Sequence, residues 1–401
     1  MSPSGDPAAE VPSSRSGRAP IPLARPVLGE REEELVLEVL RSGMLSLGPM
    51  LGRFETDFAA ALGVDDAIAL SSGTAALHLG VRGLGWRAGD RVLTTPLSFV
   101  ASSNALLFEG VDPVFADVDP VTLNIDPAAV EAALDERTVG LLPVHIFGYP
   151  AAMVELEAIA AQHGLGLIED ACQALGAVCS DRRQVGSRGN AATFAFYANK
   201  QMTTGEGGML IPRDGEMADR ARSERNQGRS RASGMKVMAH DRLGFNYRLT
   251  DLAAAIGIAQ LERLDGLLAQ RAALARAYGE RLRALGASEP GEGAEDGLLL
   301  PVSDRGDERR SWFVYQVRLP AEADREAVIA SLEAEGIDAR PYLPCIHLYP
   351  DYRQRYGFKG GEFPNAEEAC RRALALPFFP GLGEEQIERV CSALGQALEL
   401  A

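Results

Sequence analysis

Lysine is scarce in this chain of 401 residues. Only Lys200, Lys236 and Lys359 are present, although lysine and arginine together number 40, so arginine supplies almost all of the positive charge. A lysine in such a composition is a candidate for a chemical role that arginine cannot fill. The lysine amine forms an imine with a carbonyl compound, whereas the arginine guanidinium does not. The surroundings of these lysines are therefore informative about chemistry.

Three further scarcities each exclude a class of protein. No apolar run approaches the roughly 20 residues that a membrane span needs, so we expect no membrane association. The 56 acidic residues outnumber the basic ones and give a net charge of −16, which disfavours nucleic acid as a partner. The five cysteines are scattered and lack CxxC or Cys/His spacing, so neither a disulfide framework nor a metal site is predicted.

The length of the chain exceeds that of a usual single domain, so we expect two folded domains. Residues 1–18 are rich in Ser, Pro, Gly and Ala and lack the apolar core of an export signal, which predicts a flexible tail and a cytoplasmic location. Residues 19–260 are predicted to form a large domain with an N-terminal helical segment. Residues 261–401 are predicted to form a smaller α+β domain.

Short apolar runs with β-forming residues alternate with amphipathic helical stretches between residues 66 and 209. This alternation is typical of an α/β fold, in which a parallel sheet is covered by helices on both faces. Ligands gather at the carboxyl edge of such a sheet. Six strands are predicted, over residues 67–70, 91–94, 113–117, 140–144, 166–169 and 192–196.

Lys200 follows the sixth predicted strand, in the segment FAFYANKQMTTGEGG. A strand end gives way there to a glycine-rich loop, at the edge of the sheet where ligands bind. A lysine in that place is suited to form an imine, or Schiff base, with an aldehyde. The alternative for this segment taken alone is a solvated lysine without a role.

A second pattern is the segment IEDACQALGA, in which hydrophobic strand residues end in Glu169 and Asp170. A carboxylate at this edge, for which Asp170 is the candidate, is suited to keep the ring nitrogen of pyridoxal 5′-phosphate (PLP) protonated, so that the ring accepts electrons. Gln173, three residues further on, is suited to donate to the phenolic oxygen of that ring. The alternative is that Asp170 and Gln173 cap the next helix.

Two loops complete the predicted site. IALSSGTAALHLG predicts a strand, a turn and a helix that begins near Thr74, and the free amides of a helix start bind phosphate, although ordinary capping explains the same residues. Phe99, in TPLSFVASSNA after the second strand, is positioned to stack on a planar ring. Simple packing is the alternative for a lone aromatic residue in a loop.

Taken together, these segments resemble the DegT/StrS-type sugar aminotransferases. The likeness covers nearly the whole chain and includes SSGTAALHL, TPLSFVASSNA, IEDACQALGA, NKQMTTGEGG, GFNYRLTDLAAAIGIAQL and FPNAEEACRRALALPFFP. The resemblance implies the PLP-dependent transferase fold type I, with a mostly parallel seven-stranded sheet in the large domain. It also implies transfer of an amino group, with L-glutamate as the expected donor, to a keto group of a nucleotide-linked sugar.

Matched position by position, the resemblance implies a role for each motif residue that surrounds the cofactor ring. Lys200 is expected to form the Schiff base, Asp170 to pair with the pyridine nitrogen and Gln173 to contact the phenolic oxygen. Phe99 is expected to stack on the ring. Cys172 stands where the family usually has alanine, a change that leaves these roles intact.

The resemblance also implies how the cofactor phosphate is held. Gly73 and Thr74 are expected to bind it, and Asn246 of GFNYR is expected to reach the phosphate bound in the neighbouring subunit, which implies a homodimer with shared active sites. Ala195 is a departure, because the family commonly has a phosphate-binding serine at that position. Asn199 also replaces a residue that is often threonine.

The substrate is open to alternatives, because its pocket is formed by loops and a partner subunit. His240, His347 and Tyr342 are candidates to face it. A non-sugar keto cyclitol is the alternative substrate, and a catalytically silent regulatory protein of the same fold is the alternative function. The complete set of cofactor residues disfavours the silent protein.

Overall fold

The computed structural model describes residues 19–230 and 239–399. The predicted tail at residues 1–18 lies outside these ranges, as does Lys236. In the described ranges, every helix is too short or too polar to cross a bilayer. The strands form one seven-stranded sheet and one two-stranded sheet.

The helices and strands alternate through the first half of the chain, as the sequence predicts. The strands are β1 (Ile68–Leu70), β2 (Arg91–Thr94), β3 (Asp112–Phe115), β4 (Thr138–Leu142), β5 (Gly166–Asp170), β6 (Ala191–Ala195), β7 (Gly208–Pro212), β8 (Tyr315–Arg318) and β9 (Ala373–Leu376). The helices are α1 (Glu30–Ser42), α2 (Pro49–Leu62), α3 (Gly73–Gly83), α4 (Ala101–Leu107), α5 (Pro127–Ala133), α6 (Met153–His163), α7 (Gly215–Glu224), α8 (Asp251–Glu262), α9 (Leu264–Ala284), α10 (Arg325–Ala334), α11 (Pro350–Tyr356), α12 (Pro364–Arg372) and α13 (Glu384–Ala397).

The large sheet has the strand order β1-β7-β6-β5-β4-β2-β3. Strands β3, β2, β4, β5 and β6 pair in parallel, whereas β7 runs antiparallel to both β6 and β1. This arrangement confirms the predicted α/β fold with a mostly parallel seven-stranded sheet. All six predicted strands are present with small differences at their ends, and β7 is the strand that the six did not include.

The carboxyl ends of four strands meet at one edge of the sheet and position the loops that carry the motifs. Strand β5 ends at Asp170 and β6 ends at Ala195, which precedes the Lys200 loop. Strand β2 leads into the loop with Phe99, and β1 leads through a short turn into α3. Because parallel strands share this edge, segments that are far apart in the chain converge there.

Two of the hydrophobic cores in the described chain show how this arrangement is supported. In the first, the rings of Phe54 and Phe58 in α2 pack edge-on against Phe194 and Phe196 around β6, with centroids 5.4–5.6 Å apart. The second surrounds β8 and β9 and includes Ile21, residues of α9, α10 and α13, and the fully buried rings of the aromatic residues there. The predicted domain bounds at residues 18, 260 and 401 stay a prediction.

The helical pattern after residue 251 divides into two helices. Helix α8 ends at Glu262, Arg263 adopts a non-helical ψ of 16°, and α9 continues from Leu264. Helix α8 packs on α1 and α2 of the first core, whereas Tyr278 and Leu282 of α9 belong to the second. The break therefore lies where the chain passes from one core to the other.

Candidate active site

A cavity of about 430 Å³ lies at the carboxyl edge of the large sheet. Loops that follow β1, β2, β5 and β6 form its walls, together with Tyr342 and Leu343 from the second half of the chain. Six of the seven predicted site residues line it, namely Gly73, Thr74, Phe99, Asp170, Gln173 and Lys200. The folded chain thus brings together residues from four separate motifs.

Lys200 is half-buried at this cavity. Burial lowers the pKa of its amine to about 8, although the nearby Cys172 and Asp170 act in the opposite direction. The Nζ atom lies 3.9 Å from the centroid of the Phe313 ring. A larger fraction of the amine is therefore neutral near pH 7 than for a solvated lysine, and the neutral amine is the nucleophilic form.

Asp170 is the buried last residue of β5, and its carboxylate is fixed on both oxygens. Ser102 Oγ donates to Oδ2 at 2.6 Å, and the backbone N–H of Cys172 donates to Oδ1 at 3.1 Å. Each carboxylate oxygen has a further lone pair to accept a bond from a ligand. The interpretation as a helix cap is wrong, because the described segment after Asp170 forms turns and then β6.

Gln173 is held at its carbonyl end. Its Oε1 accepts a hydrogen bond from the backbone N–H of Phe147 at 3.0 Å, so the amide NH₂ group is the end available as a donor. Its backbone oxygen accepts a bond of 2.7 Å from Nε2 of Gln201, the residue that follows Lys200. The Gln173 turn and the Lys200 loop are therefore directly connected.

The predicted anion site is the start of α3. Ser72 caps this helix by accepting a bond of 3.1 Å from the N–H of Ala75, and the amides of Gly73 and Thr74 begin the first turn. A Cβ atom on Gly73 would lie 2.6 Å from the Cβ of Ala195, so only glycine fits there. Helix-start amides at the wall of a cavity form a cradle for a phosphate group.

Phe99 lies in the loop after β2 and is 58% exposed. That exposure is inconsistent with the alternative of simple core packing, because its ring lies at the cavity wall and not in either core. A donor amide, a buried carboxylate, an amine, an open aromatic ring and an anion cradle therefore surround one space. This set fits an anionic pyridine aldehyde such as PLP.

Asn246 is exposed and lies outside the residues that line the cavity. Its backbone forms an isolated antiparallel bridge with Asn226. The expectation that Asn246 serves the neighbouring subunit stays a prediction, since one chain is described.

Of the three candidates to face the substrate, only Tyr342 lines the cavity. His240 is exposed and bonds the backbone oxygen of Gln227 at 2.9 Å. His347 is fully buried and bonds Glu367 at 3.0 Å, so its proposed contact with the substrate is wrong. The single sequence did not distinguish a core histidine from one in a pocket.

His347, Glu362 and Glu367 are the one group of metal-ligand type found in the described part of the chain, with atoms within 4.8 Å of one another. The carboxylate of Glu367 accepts bonds from the amides of Gly361 and Phe363, and Glu362 also accepts backbone amides. The two carboxylates therefore have a structural role, because they bind the backbone amides of the loop between residues 359 and 363. The expectation of no metal stays a prediction.

Several residues that contact the predicted set were not predicted from the sequence, Ser102 and Phe313 among them. Ser102 donates to Asp170, and Phe313 lies beneath the Lys200 amine. The serine stands in the first turn of α4, directly after the loop that carries Phe99, so proximity to Phe99 in the sequence was a usable signal. Phe313 lies more than 100 residues from Lys200 and has no local signal in SWFVYQVRL.

The mostly parallel seven-stranded sheet and the solved aminotransferases that share this fold define a PLP-dependent transferase of fold type I. The chain belongs to the DegT/DnrJ/EryC1/StrS aminotransferase family, which matches residues 26–395. The predicted family, the PLP cofactor and the aminotransferase activity are thereby confirmed.

Relatives of the chain cover nearly its full length. GDP-perosamine synthase from Caulobacter vibrioides is 37% identical over 384 residues, which cover 94% of this chain and 98% of that protein. DesV from S. venezuelae, solved in complex with a ketimine intermediate, is 35% identical with a TM-score of 0.83, covering 92% and 95% of the two chains. DesI, solved in the presence of its TDP-sugar product, is 31% identical with a TM-score of 0.83, covering 94% and 93%.

Proposed function

We propose that the protein transfers an amino group from L-glutamate to a keto group of a nucleotide-linked deoxy sugar, and that Lys200 carries the PLP cofactor. The main support for this proposal is that the Lys200 amine lies in one cavity with the buried Asp170 carboxylate. Burial lowers the pKa of that amine to about 8. The substrate class is supported by the relatives, which include a GDP-perosamine synthase and a protein solved with a TDP-sugar. The family resemblance supports L-glutamate as the donor.

When bound, PLP supplies an electron sink that stabilises negative charge on a substrate carbon. Asp170 would hold the ring nitrogen in its protonated form, because Ser102 and a backbone amide fix the carboxylate in place. Gln173 would donate to the phenolic oxygen through its free amide end. The amides of Gly73 and Thr74 would bind the phosphate.

The reaction also needs a group that moves a proton. Lys200 Nζ in its neutral form accepts the proton from the α-carbon of the amino donor, and the resulting ammonium donates a proton in the opposite half-reaction. One amine serves as base and acid because its pKa lies near the working pH. The amino group of the donor stays on the enzyme when the keto acid leaves, so ping-pong kinetics are expected, in which the keto sugar binds only after that departure.

The lining of the cavity also offers polar groups for a sugar. Tyr197, Asn199, Glu206 and Tyr342 line it, and burial raises the pKa of Tyr342 to about 12, so its hydroxyl stays neutral. Neutral hydroxyl and amide groups suit the hydroxyls of a sugar ring. A keto cyclitol offers similar groups, and the experiment below therefore includes one.

The test is a two-step spectroscopic assay. L-Glutamate is added to the yellow PLP form, and loss of the visible band shows the first half-reaction. The product is then mixed with GDP-, dTDP- and UDP-linked sugars that carry the keto group at carbon 3 or carbon 4, and with a keto cyclitol. Return of the band with a nucleotide sugar, and an aminated product by mass spectrometry, is expected. Return of the band with the keto cyclitol alone would refute the assignment of a sugar substrate. A band that does not change on addition of L-glutamate would refute L-glutamate as the donor.

The lysine assignment is tested separately. Borohydride reduction followed by peptide mapping is expected to label Lys200, and Lys200→Ala is expected to lower kcat by more than about 10³-fold while the fold is kept. The matched control is Lys359→Ala, because Lys359 is exposed and lies outside the cavity lining. A label on Lys236 or Lys359 would refute the assignment.

We further propose a homodimer with shared active sites, in which Asn246 reaches the cofactor phosphate of the neighbouring subunit. The exposure of Asn246 supports this, as does a group of exposed apolar residues at the end of α1 and after it. Such a group on a water-soluble surface is typical of an interface. Its members are Leu37, Leu40, Met44, Leu45 and Leu47.

A further inference from the structure

Arg271 of α9 connects two segments that meet at the cavity. Its Nη2 donates to the backbone oxygen of Lys200 at 2.9 Å, and its Nη1 donates to the backbone oxygen of Phe313 at 3.1 Å. Arg271 is buried, and its guanidinium carbon lies 5.8 Å from the centroid of the Phe378 ring. One planar guanidinium therefore fixes the distance between the two carbonyl groups.

This arginine is held without a carboxylate partner. None of the ion pairs among the described residues includes Arg271, its Nε atom has no hydrogen-bond partner there, and burial lowers the pKa of its guanidinium to about 10. A buried cation bound only to carbonyls is unfavourable compared with an apolar side chain of the same volume. A role in positioning accounts for its presence better than a contribution to stability does.

Phe313 connects this contact to the reactive amine. Its backbone accepts from Arg271, while its buried ring faces the Lys200 Nζ at 3.9 Å. An ammonium over an aromatic face is attracted by the ring quadrupole. Arg271 thus fixes both the backbone that bears the amine and the ring beneath that amine.

A second set of hydrogen bonds connects the Lys200 loop to the segment that contains Phe313. Gln201 Nε2 donates to the backbone oxygens of Gln173 at 2.7 Å and of Ser311 at 3.2 Å. Gly148 lies directly against this segment, with a positive φ of 82°, and a Cβ there would overlap the Ser311 oxygen. The segment 311–313 is therefore held at Ser311 by Gln201 and at Phe313 by Arg271. The Phe313 ring has little freedom to move away from Lys200 as a result.

We infer that Arg271 is a positioning residue, which holds Lys200 Nζ over the Phe313 ring at the height needed for bond formation and proton transfer. The inference rests on the proposed role of Lys200. A misplacement of a reacting group by about 1 Å costs about 10²-fold in rate, so loss of the guanidinium fork has a measurable effect. Lysine supplies the charge but not the fork, so it replaces arginine only in part.

The experiment compares Arg271→Gln, Arg271→Lys and Phe313→Leu with two controls. Arg276→Gln changes an exposed arginine of the same helix, and Phe54→Leu changes a buried ring of the first core. The first measurement is the rate at which the visible band forms when PLP is added to each apoprotein. The second is the pH midpoint of that rate, and the third is kcat and KM with the keto sugar.

Arg271→Gln is expected to slow band formation and lower kcat by about 10- to 100-fold, with KM for the sugar nearly unchanged. The rate of band formation and the kcat of Arg271→Lys are expected to lie between those of Arg271→Gln and those of the native protein. Phe313→Leu is expected to move the pH midpoint down by about half a unit, because the ammonium loses its attraction to the ring. Both controls are expected to keep the native midpoint and rate.

A stably folded Arg271→Gln protein with the native rate of band formation would overturn the inference and leave Arg271 a structural role only. If Arg271→Gln does not fold, an Arg271→Lys protein with native rates, together with a Phe313→Leu protein with the native midpoint, would overturn it equally. A native protein that forms no visible band refutes the proposed role of Lys200 itself, so the two failures are distinguishable.

Discussion

The residues around Lys200 differ in how far the sequence reveals them. Lys200, Asp170 and Gln173 were predicted because their side-chain chemistry is unusual at strand ends, and each strand end is visible in the local pattern. Arg271 and Phe313 were not, since one is an arginine in an arginine-rich helix and the other an aromatic residue in a strand-like run. Their relation to Lys200 arises only through tertiary contacts, for which a single sequence has no signal.

The lowered pKa of Lys200 gives a prediction on pH. Because burial favours the neutral amine, the rate at which the apoprotein combines with PLP is expected to rise with pH and level off above about 8. Stopped-flow measurement of the visible band between pH 6 and about 11 tests this. Levelling off near 10.5, the ordinary value for lysine, would show that burial does not control the amine.

Ala195 carries a second prediction at the scale of one residue. It stands at the end of β6 beside the start of α3, at a position where the family resemblance implies a phosphate-binding serine, and a hydroxyl there would add a donor to the proposed anion cradle. One hydrogen bond to a charged group contributes about 1.5–3 kcal/mol, so Ala195→Ser is expected to tighten PLP binding at least tenfold. Equilibrium dialysis of PLP measures it. Unchanged affinity would mean that other groups already satisfy the phosphate.

At the scale of helices and strands, pattern and capping predicted most of what positions the site. The strand ends at Asp170 and Ala195 and the start of α3 were expected, because buried strands and capped helices have local signals. The turns after Asp170 were not, since DACQALGA is rich in helix-forming residues, and its backbone is instead held by contacts such as the bond from Gln201. The antiparallel β7 also depends on pairing partners and not on its own five residues.

The start of α3 gives a prediction with a matched control. Gly73→Ala is expected to destabilise the protein by about 1–3 kcal/mol and to weaken PLP binding, because the new Cβ would lie 2.6 Å from that of Ala195. Gly215 also begins a helix, and a Cβ added there would have no atom within 4 Å, so Gly215→Ala is expected to be neutral. Urea unfolding and PLP titration of both variants measure this. Equal stability and equal PLP affinity of the two variants would contradict the close approach of α3 and β6.

At the scale of the whole molecule, the alternation of strands and helices predicted the sheet, but it carried no information on how two copies meet. Asn246 was matched to its role by resemblance, and in one chain it lies outside the cavity that it is expected to serve. A residue with that role acts only across an interface. The exposed apolar residues of α1 and the segment after it are available for such an interface, since they belong to none of the buried clusters of the described chain.

Subunit mixing tests the shared site directly. Lys200→Ala removes the amine, and Asn246→Ala is expected to weaken the phosphate site of the partner, so each homodimer has low activity. In a mixed dimer, one site combines both changes and the other has a native Lys200 and a native Asn246. Random pairing therefore restores about one quarter of the native activity. If Asn246 served its own subunit, every site would carry one change, and co-expression would restore nothing.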